Sequence, residues 1–208
     1  MSSYFIGAII GYLLGSVPCG FVFVKMVCGI DIREYGSKNI GTTNVFRTVG
    51  ARMASFVLLG DMFKGILAVI LIKYFYAANL HLELVTAIAV LLGHNYSLFL
   101  GFKGGRGVAT GLGLILYFMP EVSIFAFSVW LAIVFVTKYV SLASVFAAFL
   151  TPMAAYYRGY PGELVAFATA ACAFVIIRHY ENIKRLISGT EGKIKQGNMH
   201  HFKKDTKK

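Results

Sequence analysis

Hydrophobic residues fall into seven blocks along this chain, with short polar segments between them. The blocks cover residues 4–26, 53–76, 84–100, 107–119, 122–137, 142–157 and 164–177. A helix that crosses a bilayer needs about 20 apolar residues, so the first two blocks are long enough to span it alone. The fourth block is short, and its glycines favour close packing between helices. The pattern predicts an all-α, polytopic integral membrane protein with about seven transmembrane helices, although five or six spans also fit.

The composition supports a membrane protein. Of the 208 residues, 58% are hydrophobic and only 14% are charged, a balance that is rare in a soluble domain. The three cysteines lack a spacing suited to zinc and are expected to be free thiols. We predict a single membrane-embedded domain over residues 1–187. Residues 188–208 are polar and lysine-rich, which predicts a disordered cytoplasmic tail with weak affinity for anionic lipid.

The basic residues indicate how the chain is oriented. With seven spans and the N-terminus outside, residues 29–52, 101–106, 138–141 and the chain from 178 onward lie on one side. That side holds most of the lysines and arginines, whereas the opposite side has only Lys73 and Arg158, beside three glutamates. The positive-inside rule therefore predicts that the basic side is cytoplasmic.

The first basic segment, GSKNIGTTNVFR at residues 36–47, has the residue types of an anion-binding loop. Glycines let backbone amides approach an anion, and hydroxyl, amide and guanidinium groups can donate to its oxygens. The candidate residues are Gly36, Ser37, Asn39, Gly41, Thr43 and Arg47. A nucleotide P-loop is not favoured, because the lysine after its second glycine is missing and no βαβ pattern surrounds the segment.

The second basic segment, GFKGGRGVAT at residues 101–110, runs directly into the fourth hydrophobic block. Cations and glycines at a predicted helix N-terminus suit an anion. The candidate residues are Lys103, Gly104, Gly105, Arg106 and Gly107. Taken alone, an ordinary positive-inside turn explains this segment equally well.

The third segment, RHYENIKRL at residues 178–186, places His179 and Asn182 on one helix face. A lone histidine at a membrane edge is often structural, but this one shares its side of the membrane with both glycine-rich segments. Ser141, after a short turn on the same side, could donate to a phosphate or cap a helix. His179 and Asn182 are therefore candidates for a functional role, and Ser141 is a candidate for binding phosphate.

Two further pairs have a different interpretation. Asp61 and Lys64, three residues apart inside the second block, are expected to form a structural ion pair, because an unpaired charge is costly in a membrane. His200 and Asp205 have the H-x4-D spacing of many glycerol-lipid acyltransferases. They lie in the polar tail without a rigid framework, and we interpret that spacing as chance.

Taken together, these segments resemble the PlsY family of bacterial acylphosphate:glycerol-3-phosphate acyltransferases. The matches are the three basic segments, the second of which extends back to GHNYSLFL, and shorter stretches at 15–18, 61–65 and 139–144. The resemblance implies a seven-helix fold in the bacterial inner membrane with a cytoplasmic active site. It also implies that Ser37, Arg47, His179 and Asn182 are catalytic. Lys103 and the glycines near it would bind glycerol 3-phosphate, and Glu181 would be structurally important.

The implied reaction transfers an acyl group from a long-chain acyl phosphate to glycerol 3-phosphate, giving lysophosphatidate and inorganic phosphate. Both substrates carry phosphate, which fits a site with hydroxyl groups, amides and cations but few carboxylates. The glycerol hydroxyl would attack the acyl carbonyl directly, and either His179 or the departing phosphate would accept its proton. Expected partners are membrane lipids and the soluble enzyme that makes acyl phosphate, with no nucleic acid.

Two alternatives come from other classes of membrane protein. An organic-anion or phosphate-ester transporter would concentrate polar residues near the midplane in repeated halves, whereas this chain has its polar residues at one face and no repeat. A phosphotransferase that uses a CDP-lipid would need clustered aspartates for divalent metals. Asp31, Asp61 and Asp205 form no cluster in the sequence, so we expect neither a metal nor another cofactor.

Overall fold

A computed structural model describes residues 1–195 and 197, which form ten α-helices, two 3₁₀ turns and no strand. The helices are α1 (Ser2–Ser16), α2 (Cys19–Cys28), α3 (Thr42–Thr48), α4 (Ala51–Tyr76), α5 (Leu80–Asn95), α6 (Val108–Phe118), α7 (Pro120–Thr137), α8 (Val140–Tyr157), α9 (Gly162–Arg178) and α10 (Tyr180–Ile187). The predicted all-α class is confirmed. His200 and Asp205 lie outside the described residues.

Five helical segments of the described chain are long and apolar enough to cross a bilayer. They are Ser2–Cys28, Ala51–Tyr76, Leu80–Leu100, Pro120–Thr137 and Val140–Tyr157. α9 and α10, bent by 57° at their junction, form a sixth candidate. α6 has 11 residues and is about 16 Å long, roughly half of a hydrocarbon core. The protein is therefore multi-pass, and seven spans stay a prediction.

The first span, predicted as one block, is broken between α1 and α2. Pro18 has no amide hydrogen, so the helical hydrogen-bond pattern stops there. The carbonyls left at the break find side-chain donors: Ser97 Oγ donates to Ser16 O at 2.6 Å, and Lys64 Nζ donates to Val17 O at 2.8 Å. The break is tolerated in a membrane-spanning segment because these two carbonyls are satisfied within the protein.

α1 and α5 approach each other through glycines. A Cβ added to Gly11 would lie 2.5 Å from Thr86 O, and one added to Gly15 would lie 2.2 Å from Val90 O. From the other helix, a Cβ on Gly93 would lie 2.2 Å from Tyr12 O. Side chains larger than hydrogen would push the two backbones apart, so this helix pair depends on small residues as membrane helix pairs often do.

Two buried clusters position the functional end of the molecule. One lies among α4, α5, α6 and α9 and includes Leu91, Leu114, Met119 and Phe167. The other packs α2 and α3 against α4, and so anchors the first basic segment through Val24, Ile32, Val45 and Val57. The segments predicted to be cytoplasmic are thereby fixed to the helices.

The chain beyond residue 187 also contacts the helices. Ile194 N donates to Lys138 O at 2.8 Å, and Gly197 N donates to Phe46 O at 3.0 Å. Residues 188–195 therefore cross from α10 to the start of α8 and on toward α3. The predicted boundary at residue 187 stays a prediction, but packing continues past it, which a disordered tail starting at residue 188 would not show.

Candidate active site

Asn44 organises the first basic segment. Its Nδ2 donates to Ile32 O at 3.2 Å, Tyr35 O at 3.1 Å and Asn39 O at 2.7 Å, and its Oδ1 accepts from Ser37 N at 2.8 Å. This buried amide ties the loop to itself. Asn44 was not among the predicted site residues, because its hydrogen bonds to the loop exist only in the folded chain.

Glycine at position 36 serves this arrangement. Gly36 has a φ of +55°, and a Cβ there would lie 2.3 Å from Asn44 Oδ1. The amide of Gly41 donates within the loop, to Asn39 Oδ1 at 2.8 Å. The glycines therefore shape the loop, while side chains such as Ser37 and Thr43 line the cavity beside it.

Arg47 projects from α3 into the same cavity. It is half-buried, its Nη2 donates to Gly192 O at 2.7 Å, and its Nε has no partner among the described residues. Burial lowers the pKa of Arg47, and Glu191 opposes that effect. A guanidinium group with a free, buried donor is ready to bind an anion.

The second basic segment is bound on both sides by the protein itself. Gly104 N donates to Asn95 O at 3.2 Å, and Gly105 N donates to His94 O at 2.9 Å. From the opposite side, Arg178 donates to the carbonyls of Gly104 and Gly105, with the shortest contact at 3.1 Å. These glycine amides are therefore occupied, so they do not face a ligand.

Only the end of this segment reaches the cavity. Lys103 is exposed and does not line the cavity, whereas Arg106, Gly107 and the first turn of α6 do. Gly107 caps α6 with a φ of +81°, and the first amides of the helix lack intrahelical acceptors. Arg106 and the α6 N-terminus are therefore the donors of this segment that lie at the cavity.

His179 lies at the bend between α9 and α10 and is 3% exposed. Its Nδ1 is 2.7 Å from Val175 O. Because a carbonyl only accepts, the ring proton is on Nδ1 and Nε2 is left as an acceptor. Asn182, one turn further on, is 4% exposed, and its Oδ1 has no partner within the described chain. Glu181 pairs with Lys184 at the surface, with an N–O distance of 3.6 Å.

Glu191 was not predicted as a site residue, yet it connects three side chains of α8 and α10. Ser141 Oγ donates to its Oε1 at 2.8 Å, Asn182 Nδ2 donates to Oε1 at 2.7 Å and Arg185 Nε donates to Oε2 at 2.8 Å. Partial burial opposes its ionisation, but the hydrogen bonds from Asn182, Arg185 and Ser141 hold the pKa of Glu191 below its ordinary value. The carboxylate therefore stays charged.

The site carries more positive than negative charge. The pKa of Arg106 is lowered to about 10, chiefly by burial, which Glu191 opposes and the neighbouring cations Arg185, Arg178 and Arg47 reinforce. Arg106 remains protonated at neutral pH. Asp61 and Glu181 also line the cavity but are paired with Lys64 and Lys184, which leaves Glu191 as the carboxylate among the four guanidinium groups. The arrangement therefore favours an incoming anion with more than one charge.

These groups share a cavity of about 810 Å³. Its polar end contains most of the predicted residues: Gly36, Ser37, Asn39, Gly41, Thr43, Arg47, Arg106, Gly107, Ser141, His179 and Asn182. Its other end runs between α6, α7, α8 and α9 and is lined by Leu112, Ile115, Phe127, Trp130, Ala148 and Cys172. Among residues 1–195 and 197, no three His, Cys, Asp or Glu side chains form a group that could hold a metal ion.

Asp61 and Lys64 form a buried ion pair in α4, with Lys64 Nζ 2.9 Å from Asp61 Oδ1. His94 of α5 joins them, since its Nδ1 lies 2.9 Å from Lys64 Nζ. Asp61 and His94 also line the cavity. The pair is therefore part of a network next to the site, which the sequence spacing of residues 61 and 64 did not indicate.

The fold and the cavity define a multi-pass membrane protein in which a cationic site opens onto an apolar groove. A family model described as glycerol-3-phosphate acyltransferase matches residues 5–189. The glycerol-3-phosphate acyltransferase of Fusobacterium nucleatum is 38% identical over 193 residues, covering 93% of this chain and 99% of the relative. That of Syntrophomonas wolfei is 44% identical over 183 residues, with coverages of 88% and 93%.

Solved structures agree with the family match. The crystal structure of PlsY in its glycerol 3-phosphate form superposes with a TM-score of 0.86 and 38% identity, covering 93% of this chain and 96% of that one. Its lysophosphatidic acid form gives a TM-score of 0.82 and 37% identity, covering 92% and 95%. The chain belongs to the glycerol-3-phosphate acyltransferase family. The resemblance inferred from the sequence is thereby confirmed, as is the prediction of a membrane acyltransferase.

The low pKa of Glu191 predicts a pH-dependent contribution to stability. A carboxyl group whose pKa is lower in the folded than in the unfolded chain stabilises the fold above its unfolded value. That contribution is lost as the pH falls through the folded value. The ordinary value here is 4.5. We therefore expect the thermal midpoint of the wild type to exceed that of Glu191→Gln near neutral pH, with the gap closing from about pH 5 to pH 3.

The fluorescence of Trp130, the only tryptophan, can report this unfolding. Glu163→Gln, at an exposed position of α9, is the matched control and should follow the wild type at every pH. A gap between the wild type and Glu191→Gln that is the same at every pH would contradict a stabilising role of the ionised carboxylate.

Proposed function

We propose that this protein transfers the acyl group of a long-chain acyl phosphate to the sn-1 hydroxyl of glycerol 3-phosphate. The products are lysophosphatidate and inorganic phosphate, and the step starts phospholipid synthesis. One observation carries the proposal: a single cavity joins a cluster of cations and hydrogen-bond donors to an apolar groove between membrane helices. The family relationship and the glycerol 3-phosphate and lysophosphatidic acid forms of PlsY support it.

The cationic end suits two phosphorylated substrates. Arg47 and Arg106 bring guanidinium groups into the cavity, and the hydroxyls of Ser37, Thr43 and Ser141 line the same space. Charge-assisted hydrogen bonds from arginine to phosphate are short and strong. Donors already held in place also stabilise negative charge that develops on the acyl carbonyl oxygen during transfer.

The apolar end suits the acyl chain. It is lined by small residues of α8 and α9, such as Ala147, Ala148 and Ala171, and closed by the aromatic rings of Phe127 and Trp130. Each methylene that leaves water for such a groove contributes about 0.8 kcal/mol. A donor with a long acyl chain therefore gains affinity that a short one lacks.

An acyl phosphate explains why a covalent intermediate is unnecessary. The hydroxyl oxygen of glycerol 3-phosphate attacks the acyl carbonyl carbon, the bond from that carbon to the phosphate oxygen breaks, and inorganic phosphate departs. The hydroxyl proton passes either to His179 Nε2 or to the departing phosphate. Asn182, with a free Oδ1 close to His179 in the chain, would orient the attacking hydroxyl.

Several features support an active site that faces the cytoplasm of a bacterial inner membrane. The polar end of the cavity is built from the basic segments that the positive-inside rule assigns to that side. Glycerol 3-phosphate would enter from water, while acyl phosphate would be supplied by a soluble enzyme that works at the membrane surface.

The proposal is tested by the identity of the acyl donor that the protein uses. Protein reconstituted into phosphatidylglycerol vesicles would be given radiolabelled glycerol 3-phosphate with either palmitoyl phosphate or palmitoyl-CoA. We expect labelled lysophosphatidate from the acyl phosphate alone, persistence of that activity in excess EDTA, and its loss in Asn182→Ala. Product from palmitoyl-CoA alone would overturn the assigned donor. Uptake of label into the vesicles without product from either donor would indicate that the protein is a transporter and not an acyltransferase.

His179→Gln distinguishes the two proton acceptors. Because Nδ1 is bound to a carbonyl and Nε2 is an acceptor, we expect His179 to act as the base. General-base catalysis contributes about 10²–10⁴-fold, so kcat should fall by about that factor. His81→Gln, at an exposed position of α5, is the control. A variant at position 179 that keeps most of its kcat would assign proton transfer to the departing phosphate.

Ala148→Phe tests the groove. Ala148 lies two helical turns from Ser141, roughly 10 Å along α8, and is buried against the groove. A phenyl ring there should lower kcat/KM for palmitoyl phosphate by about tenfold or more, which corresponds to the loss of about two buried methylenes. The kcat/KM for octanoyl phosphate should fall far less. Ala132→Phe on the exposed side of α7 is the matched control. Equal losses for both donors would place the acyl chain elsewhere.

A further inference from the structure

A lysine buried among the helices has three close polar neighbours. Lys64 Nζ lies 2.9 Å from Asp61 Oδ1, donates to Val17 O at 2.8 Å and lies 2.9 Å from His94 Nδ1. The exposed fractions of the Lys64, Asp61 and His94 side chains are 7%, 2% and 3%. Pairing with Asp61 alone would neutralise the lysine, so the contact with His94 needs a separate explanation.

The contact with Lys64 fixes the His94 ring. An ammonium group only donates, so Nδ1 is the acceptor and the ring proton is on Nε2. That Nε2 edge faces the second basic segment: a Cβ added to Gly105 would lie 2.1 Å from it. The other atoms close to such a Cβ, at 2.8 and 3.0 Å, also belong to the His94 ring.

His94 therefore contacts the segment with its backbone and its side chain. Its carbonyl accepts from Gly105 N, while its ring lies against the Gly105 α-carbon. From the far side Arg178 donates to the carbonyls of Gly104 and Gly105. The segment is clamped between His94 and Arg178. The next residue is Arg106, which lines the cavity with the start of α6.

We propose that His94, oriented by Lys64 and Asp61, is a positioning residue that sets Arg106 and the α6 N-terminus at the distance needed to bind the phosphate of glycerol 3-phosphate. The inference rests on the proposed function for the identity of the ligand. The His94 ring contacts the segment at Gly105, one residue before Arg106, and both His94 and Arg106 line the cavity. Loss of the ring contact displaces the segment and weakens phosphate binding, while the groups at His179 and Asn182 keep their places.

The test uses the reciprocal contact between His94 and Gly105. His94→Asn keeps an acceptor near Lys64 but removes the ring edge, and Gly105→Ala pushes a methyl group into that edge. Each variant should raise the Kd and KM for glycerol 3-phosphate by about tenfold, with kcat nearly unchanged. In the double variant the smaller side chain at position 94 makes room for the methyl group, so binding should recover relative to Gly105→Ala alone.

Binding would be measured by calorimetry with glycerol 3-phosphate on the full chain in vesicles, and turnover with palmitoyl phosphate on the same samples. His81→Asn, on the same helix but exposed, is the control. Thermal midpoints identify any variant that fails to fold, and His94→Gln then replaces His94→Asn. Unchanged affinity in folded position-94 variants, or no recovery in the double variant, would overturn the positioning role. Wild-type binding without turnover would instead overturn the transfer reaction and leave the Kd comparison to decide the role of His94.

Discussion

Inside a bilayer there is no water to satisfy a polar group, so each one must find a partner within the protein. In this chain that constraint decides where the first span can break, since Ser97 and Lys64 supply donors to the carbonyls freed there. Lys64 is in turn satisfied by Asp61 and His94. The contacts of the Lys64 ammonium group thereby link the break between α1 and α2 to α4 and α5. Through His94 they also reach the glycine-rich segment beside the cavity.

At the polar end of the cavity a different balance holds. Four guanidinium groups approach one another, and one carboxylate from beyond α10 lies among them. Repulsion among cations in a partly buried place is unfavourable, and a doubly charged phosphate relieves it. Glu191 keeps Ser141, Asn182 and Arg185 together without using up the positive charge. The side chains at this end of the cavity therefore keep a net positive charge, which suits a phosphate group.

Much of this arrangement follows from the sequence. Apolar blocks determine the helices because the bilayer sets their length, and basic loops between them identify the face that carries Arg47, Arg106 and His179. Contacts between residues far apart in the chain cannot be predicted from the sequence in the same way. Glu191 lies in a stretch whose polar composition predicts disorder, yet its carboxylate accepts hydrogen bonds from three side chains of the folded chain. Likewise, the glycines at 104 and 105 suggested free amides, whereas packing against α5 occupies them.

One wall of the apolar groove has a further consequence. α7 contributes Phe127 and Trp130 to the groove, yet only 17% of its span is buried, and residues such as Phe135 and Val136 are 75% and 80% exposed. Lipid tails, which are as apolar as these side chains, surround most of this helix. α7 is therefore the wall that separates the groove from the surrounding lipid, and an acyl chain held in the groove would lie one helix away from the leaflet.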